Sequence, residues 1–179
     1  MDTLEAIILG AVQGLTEFLP VSSSGHLQLA KELMGVEIAE NLTFDITLHA
    51  ATVLSTIVVL WREIWRLLRG VFSRHFNTEQ AFVLKLLLSM IPIGIVGLLL
   101  RDSIDAMLAS DYIMIVVGAM LLLTAALLAF AYYARPRQKQ EISYRDAFII
   151  GMAQAVASMP GLSRPGTTIA TGLLLGHDQ

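Results

Sequence analysis

GAVQGLTEFLPVSSSG (residues 10–25) and GMAQAVASMPGLSRPG (residues 151–166) follow one plan: an apolar helix carrying Gln, a Pro, a Ser-containing break, then Gly and another apolar run. Aligned without gaps, the two segments share Gly10 with Gly151, Gln13 with Gln154, Ser22 with Ser163 and Gly25 with Gly166, while the Pro slips by one place. The shared order of features carries more than the identities. Both segments put polar groups where the flanking sequence reads as lipid-embedded.

The surrounding composition is that of a membrane protein. Apolar residues make up 55% of the 179 positions, charged residues only 15%, and mean hydropathy is +0.68, against a charged fraction of about 25% in soluble domains. Nothing resembles a soluble linker or a low-complexity tract, so residues 1–179 read as a single membrane domain. The net charge of −3 is uninformative because the charges are segregated. The absence of cysteine excludes disulfides and thiolate metal sites. The N-terminus is acidic where a signal peptide is basic, and reads as mature structure.

Three runs, about 44–61, 81–100 and 112–134, read as long enough to cross a hydrocarbon core, which needs about 20 apolar residues. Arg62, Arg66, Arg69 and Arg74 follow the first, and Arg135, Arg137, Lys139 and Arg145 follow the third. The positive-inside rule puts both basic connections on the cytoplasmic side. The connections at 101–111 and 35–41, with their acidic residues, then lie outside.

The opening segments are too short to be spans. Residues 4–19 would make roughly 24 Å of helix, against a core of about 30 Å, and Pro20 interrupts them. The economical reading is a re-entrant helical hairpin at about 4–34, entering from outside, with Ser22, Ser23 and Ser24 available to cap its second helix. Residues 146–176 repeat the pattern from the cytoplasmic side. The expected fold is therefore all-α and polytopic, an inverted-topology repeat whose two breaks meet near the midplane.

The chemistry expected at that midplane follows from residue type. Glu17 lies four residues after Gln13, on one helical face. A carboxylate at the bilayer centre costs about 2.5–3.5 kcal/mol and normally faces a cavity or partner; the alternative is a position at the interface or a hairpin cap. Ser22 to His26, SSSGH, joins hydroxyls and an imidazole at a helix N-terminus, which suits phosphate, although serines there also serve as plain caps and a lone His as structure. Arg164 presents a planar fork that matches phosphate oxygens, or else pairs with Glu17 across the repeat. Ser163, Thr167 and Thr168 supply hydroxyls for an anion or for capping. His49 and Asp45 share a face but read as solvated near the outer end of their span. Together these groups suggest a phosphate or diphosphate held in the membrane, and phosphoryl transfer or hydrolysis on a lipid carrier.

QGLTEFLPVSSSGHL (13–27), FDITLHAATVLSTIVVLWREI (44–64) and PGLSRPGTT (160–168) resemble the undecaprenyl-diphosphate phosphatase, or bacitracin-resistance, family. The resemblance implies hydrolysis of undecaprenyl diphosphate to undecaprenyl phosphate plus phosphate, with a divalent cation such as Mg2+ or Ca2+, at a multi-pass site in the bacterial cytoplasmic membrane. By position, Ser23 resembles the nucleophile and His26 its proton-transfer partner, with Ser22 and Glu17 as rival nucleophiles. Glu17 resembles the acidic residue of the metal or base site, and Gln13 the other metal position. Arg164 would hold the diphosphate, with Ser22, Ser163, Thr167 and Thr168 as further substrate contacts. The implied partners are a polyprenyl diphosphate and membrane lipid, with no nucleic acid and a homodimer as an allowed assembly.

The chain departs from the family pattern at Gln13, where many members carry Glu, and at Pro165, where SRPG stands for SRSG. Family members also continue for further transmembrane segments, so the chain reads as a C-terminally truncated member. A transporter or flippase of a polyprenyl phosphate carrier is the competing reading, since inverted repeats with broken helices also build alternating-access sites. SSSGH and SR echo the motifs of lipid-phosphate phosphatases too, but the His that pattern needs would fall at Thr171, and His177 comes too late.

Overall fold

A computed structural model of the protein describes residues 2–36, 42–133 and 141–177. Among the described residues the regular structure is helical throughout: α1 (Thr3–Glu17), α2 (Ser23–Leu33), α3 (Leu42–Val59), α4 (Trp61–Val71), α5 (Thr78–Leu99), α6 (Arg101–Leu108), α7 (Ile113–Tyr133), α8 (Tyr144–Val156) and α9 (Arg164–Leu174). Of the residues used to count charge, Glu37, Glu40, Arg135, Arg137 and Lys139 lie outside the described set.

Local sequence sets the helix starts. Asp2, Asn77 and Ser143 each cap a helix by accepting from the backbone N–H three residues on, and Glu5, Gln80 and Asp146 return the bond, completing three capping boxes. α5 and α7 are each long and apolar enough to cross a membrane, and they present Leu84, Leu87, Ile91, Ile115 and Leu122 outward. That surface suits lipid rather than water.

The run at 44–61 differs from the expected straight span. α3 and α4 meet at Leu60 with a bend of 78°. Beyond the bend, α4 carries Arg62, Arg66 and Arg69 among Trp61 and Trp65. The indoles stack at 5.9 Å and Arg69 lies over Trp65 at 5.1 Å, a mixture that belongs at a membrane interface. The connection at 101–111 likewise contains a short helix, α6.

Packing concentrates around the two broken elements. α8 runs closely along α5, α1 against α2, and α9 against both α7 and α8. At Gly151 any Cβ would come within 2.3 Å of the Ser89 carbonyl oxygen, so only glycine allows the α5–α8 approach. Lys31, 1% exposed, donates to both carboxylate oxygens of Asp45 at 2.7 Å and ties α2 to α3. Asp146 and His177 join the ends of the α8–α9 unit at 3.1 Å.

Candidate functional site

The first break starts where α1 ends at Glu17 and the chain turns through residues 18–22. Ser22 sits at φ +68°, the left-handed region that non-glycine residues rarely occupy. There its Oγ accepts from Gly25 N–H at 3.4 Å and caps α2. Ser22 is thereby buried, and Ser23 becomes the first residue of α2. Ser23 Oγ donates to Glu17 Oε2. Gln13 Nε2 donates to the same oxygen at 2.9 Å, as the i, i+4 spacing allows. Gln13 itself is buried, and its Oε1 has no hydrogen-bond partner.

The second break repeats the cap with different neighbours. Ser163 Oγ accepts from Gly166 N–H at 3.0 Å and Arg164 becomes the first residue of α9. Residues 160–163 are buried, so their backbone groups need partners inside the protein. Thr124, midway along α7, supplies them: its hydroxyl accepts from Ser163 N–H at 3.0 Å and donates to the Gly161 carbonyl at 3.4 Å. Thr167 donates to the Ser163 carbonyl at 2.8 Å and Thr168 to the Pro165 carbonyl at 3.0 Å. Pro165 is tolerated in the first turn, where its missing N–H has no intrahelical partner to lose.

The two breaks touch. A Cβ on Gly25 would come within 3.0 Å of Gly161 Cα, and one on Gly166 within 3.0 Å of the Pro20 carbonyl oxygen. Between them opens a cavity of about 540 Å3, within the range of ligand sites. Glu17, Ser22, Ser23 and Ser24 line it from the first break, and Ser163, Arg164, Pro165 and Thr168 from the second. His49, Ser89 and Gln154 close it from α3, α5 and α8. The first turns of α2 and α9 both reach this cavity, and helix N-termini favour anions. Arg164 is exposed, and among the described residues no ion pair ties it to Glu17. The cross-repeat pairing considered for Arg164 is thus not formed.

Other expected site residues lie elsewhere. His26 directs Nδ1 to the Ser22 carbonyl at 2.9 Å, and its ring lines a separate cavity of about 340 Å3 against Leu121, Leu122 and Ala125 of α7. Thr167 is buried behind the second break, and Gln13 behind Glu17. Ser24, part of the SSSGH run, reaches the cavity as well, and His49, Ser89 and Gln154 reach it without having been singled out for it. Gln154 had a signal, being the repeat partner of Gln13. His49 had a weaker one, the i, i+4 pairing with Asp45. Among the described residues no cluster of three or more His, Cys, Asp or Glu forms a metal cage. Glu17 and Ser23 Oγ make an incomplete set of hard oxygen donors at the cavity, while the unpartnered Gln13 Oε1 is buried outside its lining. Such a set fits a cation that completes its shell with water and phosphate oxygens.

Residues 6–179 match the family described as bacitracin resistance protein BacA. The chain is 60% identical, over its whole length, to an undecaprenyl-diphosphatase of Parabacteroides distasonis and covers 66% of that protein. It is 58% identical, again over its whole length, to one of Bacteroides fragilis, with 66% covered, and 56% identical to one of Bacteroides thetaiotaomicron, with 67% covered. The chain thus spans about two thirds of the length of these relatives. With apolar helices of spanning length and this match over nearly all its residues, the chain belongs to the bacitracin resistance protein BacA family of multi-pass membrane proteins.

Proposed function

We propose that the protein hydrolyses undecaprenyl diphosphate to undecaprenyl phosphate and inorganic phosphate, recycling the lipid carrier of cell-wall synthesis in the bacterial cytoplasmic membrane. The observation that carries this reading is the meeting of a hydroxyl–carboxylate pair, Ser23 and Glu17, with Arg164 around one cavity. The names of the relatives favour hydrolysis over carrier transport. The two short helix pairs act as re-entrant hairpins from opposite faces, so the diphosphate reaches the paired breaks while the prenyl chain stays in lipid.

In this mechanism Arg164 grips the phosphate oxygens and the first turns of α2 and α9 add N–H groups. Ser23 Oγ attacks the terminal phosphorus, its proton passes to Glu17, and the bridging P–O bond breaks to release the lipid monophosphate. Water then attacks the phosphoserine, its phosphate leaves, and the proton on Glu17 returns to Ser23 Oγ. Support for Ser23 over Ser22 comes from burial and from the capping role that occupies Ser22 Oγ. Glu17 and Ser23 would hold the Mg2+ or Ca2+ ion, with Gln13 fixing the Glu17 carboxylate from behind. When bound, it would neutralise charge on the phosphates.

The test is phosphate release from undecaprenyl diphosphate in detergent with Mg2+. The parent should release phosphate, and Ser23→Ala and Arg164→Ala should each lose at least about 100-fold in rate. Release unchanged in both variants would rule out this site. No release by the parent, together with movement of the lipid across vesicles, would favour the transporter.

A further inference from the structure

We propose that His49, rather than His26, is the imidazole that binds the diphosphate headgroup, donating from Nε2 to a phosphate oxygen; this rests on the diphosphatase reading above. Three observations lead there.

His49 lines the cavity shared by Ser23 and Arg164, whereas His26 lines a different one. His49 Nδ1 lies 2.8 Å from the Asp45 carbonyl oxygen. A carbonyl only accepts, so Nδ1 carries the hydrogen, the ring is held in one orientation, and Nε2 is the nitrogen left for a ligand. The Asp45 carboxylate in turn is held by Lys31, which anchors this end of α3 to α2.

Charge balance supplies the reason for an imidazole there. The ionisable side chains lining the cavity are Glu17, His49 and Arg164. The first and last cancel formally, and a bound divalent cation would offset two charges, yet a diphosphate brings more negative charge than that at full ionisation. His49 is the remaining lining side chain that can become a cation, and as imidazolium its Nε2–H makes a charge-assisted bond to phosphate. Its place on α3 gives the headgroup a contact contributed by neither break.

Binding of a methylene-bridged, non-hydrolysable polyprenyl diphosphonate to the detergent-solubilised protein tests this, alongside steady-state phosphate release at fixed Mg2+. His49→Ala should weaken binding and raise KM roughly tenfold or more, with kcat within about threefold of the parent. His49→Gln keeps an N–H donor and should recover part of the loss. Imidazole 15N NMR of the parent, assigned by the signal missing from His49→Gln, gives a reading independent of altered folding: the analogue should shift His49 Nε2 and leave His26 unmoved. Parent-like binding by His49→Ala, a kcat loss at unchanged KM, or an unmoved Nε2 signal would each overturn the proposal. If the parent binds the analogue through His49 but releases no phosphate from the diphosphate, hydrolysis fails and the contact stands. If phosphate is released and His49→Ala binds normally, the contact fails and hydrolysis stands.

Discussion

Ser23 donates its hydroxyl hydrogen to Glu17 across the first break, so the residue that opens α2 is bonded to the one that ends α1. The geometry makes Glu17 the acceptor for the Ser23 proton without an intervening histidine. Glu17→Gln keeps a side-chain acceptor for Ser23 but removes the base. Its kcat for phosphate release should fall about 10²–10⁴-fold, with thermal stability in detergent close to that of the parent. His26→Ala, by contrast, should keep kcat within about tenfold, since that ring lies in another cavity.

Thr124 is the support of the second break. Thr124→Val keeps the shape but leaves the Ser163 N–H and the Gly161 carbonyl without their side-chain partner. A loss of about 1–3 kcal/mol is expected for such buried groups, read as a lower unfolding midpoint in a denaturing-detergent titration. Thr124→Ser should restore most of it.

Glycine at 151 sets the distance between α5 and α8. A methyl group there would overlap the Ser89 carbonyl, so Gly151→Ala should cost about 1–3 kcal/mol or more by overpacking. Because Ser89 and Gln154 both line the cavity, substrate affinity should weaken with it. Gly97→Ala, where a Cβ meets nothing within 4 Å, provides the control and should be neutral or stabilising.

Lys31 and Asp45 form an ion pair with one fully buried member. Lys31→Met leaves the Asp45 carboxylate without its cation and should destabilise by about 3 kcal/mol, the low end for broken buried pairs because Asp45 keeps 28% exposure. Adding Asp45→Leu should recover part of that loss, as measured by the same detergent titration.

Much of this architecture was legible in the sequence because caps and breaks are local. Ser22 and Ser163 announce helix starts, Pro20 and Pro160 announce interruptions, and the long apolar runs that form α5 and α7 stand out by composition alone. The bend after α3 was not legible, because hydropathy reads the Trp and Arg residues of α4 as the end of a span rather than a separate interfacial helix. The placement of the two histidines was hidden for a related reason. The i, i+3 spacing puts His26 on nearly the same face of α2 as Ser23, and it is packing against α7 that places the ring in the other cavity. His49 enters through tertiary packing of α3, which no local pattern encodes.

The central claim is that the two breaks form one chemical unit, Ser23 from one and Arg164 from the other. A double-mutant cycle on kcat/KM for phosphate release tests it most directly. Residues acting as a unit are strongly non-additive, so Ser23→Ala/Arg164→Ala should be no more than about tenfold worse than the more damaged single variant. Penalties that multiply in full would contradict the account, showing that the two residues act independently.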